Sequence, residues 1–261
     1  MGRHVTSLTY PGRPLRPVLA ALAYCCLLAT SHLLSGSAAA QIADPRSPLP
    51  PHSPQWQNAI GHLQVPITRL QDGRRRHFTE HCSATSVTPG PFPLFLTAWH
   101  CLDGYDSLIE PIVLVTNHGL TVRLRVLDSG GSMAADWAVL KAVGPIDGLH
   151  WIPLGTEPLR PGTRVSAAGF APTPTESLDA RGGQFAKRQL LFHAACEVTD
   201  AVTVPQISNC VAHRGASGGA ILSRTESGSV RLSGVISAGD SNSVVLYHPT
   251  AALIERVQAL R

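Results

Sequence analysis

Charged side chains are scarce in this sequence, because Asp, Glu, Lys and Arg make up only 15% of its 261 residues. Hydrophobic residues make up 44%, which excludes a wholly disordered chain. The 23 glycines and 21 prolines predict many turns and argue against long exposed helices. The sequence shows neither an internal repeat nor a cofactor-binding motif, so we expect a protein that works without a cofactor.

Long hydrophobic runs are absent after residue 40, so no later segment is expected to span a bilayer. The run over residues 18–34 follows a basic start and precedes the small residues 35–40. This pattern is typical of a signal peptide, here residues 1–40, cleaved before Gln41. An uncleaved membrane anchor is the alternative, and the shortness of the run disfavours it. We therefore expect a secreted or periplasmic protein without stable membrane association after cleavage.

Net positive charge is also largely absent from the predicted mature chain. The whole sequence carries +4, and loss of Arg3, Arg13 and Arg16 with the signal peptide leaves +1. Such a chain offers no argument for a nucleic-acid partner, and none is expected. The run 74–77 (RRRH) follows Asp-Gly at 72–73 and is predicted to be an exposed loop.

Cysteine is infrequent, and two of the six lie within the predicted signal peptide. The remaining four are Cys82, Cys101, Cys196 and Cys210. An even number in an exported chain is typical of disulfides. Of the three possible pairings, the local one would place one bridge in each half of the chain. No C-x-x-C pair is present, so a metal site is not expected.

Short strand-like segments alternate with turn residues from about residue 61, after a proline-rich arm or pro-segment over residues 41–60. The predicted strands are 80–87, 92–98, 112–116, 121–127, 137–143, 164–170, 189–192, 220–223, 230–238 and 243–247. Their spacing indicates an all-β sandwich or barrel. The Pro- and Gly-rich stretch 144–162 separates two halves. Residues 249–260 carry apolar residues at helical spacing and are predicted to form a helix.

Three short motifs place polar residues in small or apolar surroundings. LTAWHC contains His100, DWAVL begins with Asp136, and HRGASGGAIL surrounds Ser217 with glycines. A histidine base can activate a serine, and a carboxylate can orient that histidine. Glycine permits a sharp bend or close backbone approach. Taken singly, a packed histidine, a water-facing acid and a plain turn explain these motifs equally well.

Together, in the order His, Asp, Ser, these motifs resemble the trypsin/chymotrypsin-like serine peptidases, with their T-A-x-H-C, D-x-A-L-L and G-D-S-G-G-P motifs. The resemblance covers about residues 60–261. It implies two six-stranded antiparallel β-barrels, over 61–150 and 151–261, with a C-terminal α-helix and a Cys82–Cys101 bridge. It also implies a secreted serine endopeptidase that cleaves polypeptides through an acyl-enzyme intermediate. We expect a monomer.

The same resemblance assigns roles to individual residues. Ser217 is the expected nucleophile, His100 the base and Asp136 the group that orients the imidazole. Backbone N–H groups of Gly215 and Ser217 are expected to form the oxyanion hole. Ala216 replaces the acid that, in animal members, pairs with a new N-terminus, so activity is expected without that ion pair.

Substrate contacts are expected along two segments of the second half. The predicted binding residues are Val211, Ser237, Ala238, Gly239 and Val245. Ser237 is also expected to support the triad aspartate, and Ala238 replaces a bulky aromatic residue, which indicates an open groove. Val211 and Val245 at the primary pocket favour a small or apolar residue before the cleaved bond, although Asp240 could attract a basic one.

Two other functions are carried as alternatives. Gly-Ala-Ser-Gly-Gly fits the G-x-S-x-G elbow of α/β-hydrolases, and Asp240 and His248 follow Ser217 in the required order, as in an esterase. That elbow must lead into a helix, whereas the residues after Ser217 are strand-like. The second alternative is an inactive binding protein with the peptidase fold. It is disfavoured because all three triad residues are present.

Overall fold

The computed structural model describes residues 44–49, 54–172 and 188–261. The predicted signal peptide and its cleavage site lie outside these residues, as does part of the proline-rich arm. Within the described ranges, no helix is both long enough and apolar enough to cross a membrane.

Strands account for most of the regular structure in these ranges. In chain order they are β1 (Ser47–Pro48), β2 (Ile60–Gln71), β3 (Arg74–Ser86), β4 (Leu94–Thr97), β5 (Ile112–Thr116), β6 (Thr121–Ser129), β7 (Ala138–Ala142), β8 (Arg164–Pro172), β9 (Arg188–Asp200), β10 (Gln206–Ser208), β11 (Ala220–Arg224), β12 (Val230–Gly239) and β13 (Val245–Pro249). Short 3₁₀ turns span Gln55–Ala59, Trp99–Leu102 and Thr250–Leu253, and one α-helix, α1, spans Ile254–Ala259.

Two closed antiparallel barrels are built from these strands, which confirms the predicted fold. The first has the order β2-β3-β4-β7-β6-β5. The second has the order β9-β10-β13-β12-β11-β8 and closes because β8 pairs back with β9. β1 adds to the outside of β9, where Ser47 lies opposite Phe192 and Pro48 opposite Leu191.

Each barrel has its own apolar interior, and a third cluster joins them. The first interior includes Leu63, Phe95, Leu114, Leu124 and Leu140; the second includes Val165, Val198, Ile221, Ile236 and Tyr247. The joining cluster combines residues of both barrels with α1: Ile60, Leu96, Val139, Phe170, Leu222, Val235 and Val257. Burial of this apolar surface holds the facing edges of the two barrels together.

The structure contains two disulfides, Cys82–Cys101 and Cys196–Cys210, one in each barrel. This is the local pairing among the three that the sequence allowed. The first closes the segment between β3 and the turn after β4. A cross-link over 19 residues restricts the unfolded chain and stabilises the fold by about 3 kcal/mol.

The predicted loop at 74–77 is wrong. Asp72 and Gly73 both have positive φ, 53° and 71°, and form a two-residue hairpin turn. The chain therefore reverses at once, and Arg74 pairs with Gln71 as the first residue of β3. The arginine side chains are exposed, as expected.

The predicted helix over 249–260 is only partly correct, because its first turn is a 3₁₀ turn. Thr250 Oγ1 donates to the Leu232 carbonyl at 2.6 Å and holds that turn against β12. Pro249 precedes the turn and provides no side-chain cap. The α-helical part is limited to α1, whose Val257 packs into the cluster between the barrels.

Candidate active site

The three motifs meet where the two barrels face each other. His100 lies in the 3₁₀ turn after β4, and Asp136 lies two residues before β7, so both come from the first barrel. Ser217 lies in the turn before β11 of the second barrel. Residues 214–219, which contain Ser217, are called the serine turn below. The Ser83 N–H, in β3, donates to the Ser217 carbonyl at 2.7 Å and so connects the serine turn to the first barrel.

His100 and Asp136 form a tightly held pair. His100 Nδ1 lies 2.8 Å from Asp136 Oδ2, and the His100 backbone N–H donates to Oδ1 at 2.8 Å. The Ser237 hydroxyl also donates to Oδ2. These contacts hold the imidazole with Nδ1 towards the carboxylate, which leaves Nε2 available for chemistry.

Asp136 is fully buried, with 0% of its side chain exposed. Burial alone would raise the pKa of this carboxyl, but hydrogen bonds from His100 and Ser237 outweigh it and hold the pKa below its usual value. The carboxylate is therefore ionised at neutral pH. It provides a fixed negative charge next to the imidazole.

Ser237 reaches Asp136 because of an irregularity in β12. The register with β13 shifts between Ile236 and Ala238, so Ser237 is the extra residue of a bulge. A bulge re-aims the side chain that it contains, here towards Asp136. The contact expected between Ser237 and Asp136 is thus present.

His248 is a further contact of Asp136 that sequence reasoning assigned only to the esterase alternative. Its Nε2 accepts the Asp136 backbone N–H at 2.9 Å. Burial lowers the pKa of His248 although the charge of Asp136 opposes this, so the ring is neutral and able to accept. No local pattern in the sequence distinguishes this histidine, since its role depends on a contact 112 residues away.

The glycines around Ser217 are explained by close packing. Gly215 and Gly218 have φ of 100° and 77°, a region that side chains rarely adopt. A Cβ at Gly218 would also collide with the Ser83 carbonyl and Thr97 Oγ1. Only glycine therefore lets the serine turn lie so close to β3 and β4.

Ser83 holds the serine turn in place through hydrogen bonds and was not predicted as a site residue. It is fully buried; its hydroxyl donates to the Gly215 carbonyl at 2.9 Å and accepts the Phe170 N–H at 2.8 Å. Thr97 Oγ1 donates to the Ser83 carbonyl. No sequence signal distinguishes Ser83, because the buried end of β3, residues 82–86 (CSATS), contains three hydroxyl residues.

Within the described residues, Ser217 Oγ and His100 Nε2 form no hydrogen bond, and Nε2 lies 3.8 Å from Cys101 Sγ. Catalytic hydrogen bonds are often long in ligand-free sites and tighten when substrate binds. The backbone N–H groups of Gly215 and Ser217 donate to no acceptor in the same ranges. An oxyanion hole requires backbone N–H groups that are not already bonded to the protein.

One group of the described residues has the spacing of a metal site: Cys82, His100 and Cys101. The two cysteine sulfurs are bonded to each other, so neither offers a thiolate. Since a thiolate is the form of cysteine that binds metals, this group is better explained as a histidine beside a disulfide.

A comparison with known protein families agrees with this geometry. Residues 82–231, more than half of the chain, match the family model of the trypsin-like peptidase domain. The chain belongs to the trypsin-like serine peptidases. A search of curated proteins found no match. The matched segment of the peptidase contains His100, Asp136 and Ser217.

The remaining predicted binding residues of the peptidase lie on two facing segments. Val211 is buried, and its N–H donates to His193 Nδ1 at 3.0 Å. Gly239 faces the same stretch, since a Cβ there would lie 3.5 Å from the Ala212 carbonyl. Val245 is buried behind them, and Ala238 is partly exposed.

Asp240 caps the loop after β12. Its carboxylate accepts the backbone N–H groups of Asn242, Ser243 and Val244, and these bonds lower the pKa of Asp240. The esterase alternative is not supported, because Ser217 leads into strand β11 rather than the helix that an elbow requires.

A pair of histidines lies beside the serine turn on the first barrel. His62 Nε2 and His81 Nδ1 are 3.1 Å apart, and the His62 ring stacks on both His81 and Phe170. Burial, with the charges of His81 and Arg188, lowers the pKa of His62 to about 4. This ring is therefore neutral over most of the physiological range.

Because of His62, the free energy of unfolding is expected to decrease as the pH falls from about 6.5 to about 4. The unfolded chain protonates His62 in this range whereas the folded peptidase does not. After allowance for partial solvent screening, the His62 contribution is roughly 1–2 kcal/mol. The free energy of unfolding, measured with urea, should differ less between pH 7 and pH 5 for His62→Gln than for the native chain. His118→Gln, at an exposed histidine, is the control and should show the same pH difference as the native chain. If His62→Gln also showed the native pH difference, the lowered pKa of His62 would be contradicted.

Proposed function

We propose that the chain is an exported serine endopeptidase that uses Ser217, His100 and Asp136. The observation that carries this proposal is the buried, doubly hydrogen-bonded Asp136–His100 pair, together with a serine whose glycine-rich turn packs against Ser83 and Thr97 of the same barrel. Neither a plain structural histidine nor a plain turn requires this combination. The predicted signal peptide and the two disulfides support export to an oxidising compartment.

The proposed reaction begins when Ser217 Oγ attacks the carbonyl carbon of the scissile bond while His100 Nε2 takes its proton. Asp136 stabilises the resulting imidazolium. The N–H groups of Gly215 and Ser217 donate to the oxyanion, a contribution of about 3 kcal/mol per donor. His100 then protonates the leaving amine, the C–N bond breaks, and an acyl-enzyme remains. Water repeats the sequence and releases the acid.

The acyl side of the substrate, meaning the residues before the cleaved bond, is proposed to bind along residues 237–239 as an extended strand. Its side chain before the cleaved bond would enter between the segments of Val211 and Val245. Both valines are apolar and buried, and the Arg46 side chain that lies in the cavity beside Val211 is paired with Asp44. The Asp240 carboxylate already accepts three backbone N–H groups of its own loop. We therefore favour substrates with a small or apolar residue at that position.

The N-terminal arm is proposed to be part of the mature enzyme rather than an inhibitor. The Arg46 side chain is only 3% exposed and pairs with Asp44 at 2.6 Å. It lines a small cavity with Gly169, Val211 and Ala216, directly behind the serine turn. Pairing of β1 with β9 keeps the arm in that place.

Labelling by a fluorophosphonate probe tests the proposed function. The disulfide-intact protein is expected to be labelled at Ser217, and Ser217→Ala should remove the label. Exposed Ser243→Ala is the matched control and should be labelled like the native protein. Absence of label on native protein with both disulfides formed would contradict the proposal and favour the inactive binding protein.

A further inference from the structure

The serine turn lies between β12 on one side and β3 on the other. The Gly218 N–H donates to the Ile236 carbonyl at 2.7 Å, and the Ser83 N–H donates to the Ser217 carbonyl at 2.7 Å. In the proposed function, the acyl side of the substrate follows residues 237–239 of β12. The leaving side of the substrate, meaning the residues after the cleaved bond, must therefore extend in the opposite direction, towards His81 and Cys82 of β3.

A partly buried arginine stands at this leaving side. Arg188, the first residue of β9, donates from Nη1 to the Arg214 carbonyl at 3.4 Å. A Cβ at Gly215 would collide with the same Nη1, so the guanidinium lies against the proposed oxyanion hole. Arginine presents a planar set of donors that matches a carboxylate.

The neighbours of Arg188 leave its positive charge uncompensated. Burial and the charge of Arg214 lower the pKa of Arg188, and only Glu80 opposes this. Glu80 itself pairs with Arg69 at 3.4 Å. Among the described residues, Arg188 forms no ion pair. The guanidinium of Arg188 therefore has no ion-pair partner in the described ranges, while the charge of Arg214 acts on it from nearby.

The floor beside these arginines is neutral and apolar. The His62 ring stacks on His81 and on Phe170, and burial lowers the pKa of both histidines. Both rings are therefore predominantly neutral at neutral pH. Their faces provide a flat surface next to a partly desolvated cation, where an ionic contact is stronger than in water.

We infer that the leaving side of the cleft binds a substrate carboxylate through Arg188, assisted by Arg214. The inference rests on the proposed function and specifies its substrate class. The carboxylate can be an acidic side chain shortly after the cleaved bond or the C-terminal carboxylate of a short leaving peptide. Both offer two oxygens to one guanidinium.

Matched quenched peptides test this inference. All share one acyl side. One pair carries Glu or Gln as the second leaving residue and ends in an amide; a second pair has neutral side chains and ends in a free acid or an amide. A coumarin amide of the same acyl side, which has no leaving residues, reports on the proposed function alone. The readout is kcat/KM at low and high salt.

We expect one carboxylate member to be cleaved about 10- to 100-fold faster than its neutral partner, in line with 1.5–3 kcal/mol for a charged hydrogen bond. The ratio should shrink at high salt. It should fall below about threefold in Arg188→Gln and stay partly intact in Arg188→Lys. Arg123→Gln, an exposed arginine of β6, should keep the native ratio. Melting temperatures of all variants check folding.

The outcomes separate the two levels of the proposal. If the native protein does not cleave the coumarin amide, the proposed function fails. If it cleaves that substrate but has the same kcat/KM for both members of each peptide pair, the carboxylate inference fails. A preference that survives in Arg188→Gln also overturns the inference. A preference in the first pair identifies a side-chain carboxylate, and one in the second pair identifies a chain end.

Discussion

His100→Ala is expected to lower kcat for peptide hydrolysis by about a million-fold. Without an imidazole, Ser217 Oγ has no base to take its proton, and the leaving amine has no acid. Asp136 also loses one of the donors that stabilise its buried charge, so the variant should unfold more easily. Steady-state kinetics of purified protein at a known total concentration measures the loss, and the melting temperature reports on folding.

His118→Ala is the matched control, because His118 lies in an exposed turn between β5 and β6. It should retain native kcat. If His100→Ala kept more than about 1% of native activity, a different base would have to activate Ser217, and the mechanism proposed here would be wrong. His248 could not easily replace it, since its Nε2 is occupied by the Asp136 backbone N–H.

Asp136→Asn is expected to lower kcat by about ten-thousand-fold while the fold is largely kept. An amide in this position can present its NH₂ group to His100 Nδ1. The imidazole then carries its proton on Nε2, which can no longer accept the proton of Ser217. The variant also lacks the negative charge that stabilises the imidazolium. KM should change much less than kcat, since Asp136 is fully buried and does not reach the substrate.

Asp128→Asn is the comparison for this prediction. Asp128 is a partly exposed aspartate that pairs with Arg256 at 3.0 Å, and its loss should leave kcat within about twofold. If Asp136→Asn lowered kcat by less than about tenfold, Asp136 would be a structural support of the turn rather than the partner of a general base.

The parts of the site that could be predicted from the sequence lie within continuous motifs. His100, Asp136 and Ser217 each occur in a short segment whose neighbours are small or apolar. The glycines beside Ser217 indicated close packing before any partner was known. The backbone conformation of the turn then agreed with that indication.

Residues whose roles depend on distant contacts could not be predicted in this way. Ser83, His248 and Arg188 act through partners that only the closed barrels bring near. Strand β2 was missed because Gly61 and Pro66 interrupt its alternation, yet it pairs with β3 along its whole length. The helix at the C-terminus was overextended because its apolar spacing continues through a turn that Thr250 holds in a tighter form.

The buried position of Arg46 has a consequence for biosynthesis. The residue lies only a few positions after the predicted export cut, and its guanidinium occupies the space behind the serine turn. A leader peptidase that cut downstream of it would remove part of the interior of the second barrel. If the chain is exported as proposed, the position of the cut is constrained by packing, and a misprocessed chain would differ from the correct one in its packing as well as its length.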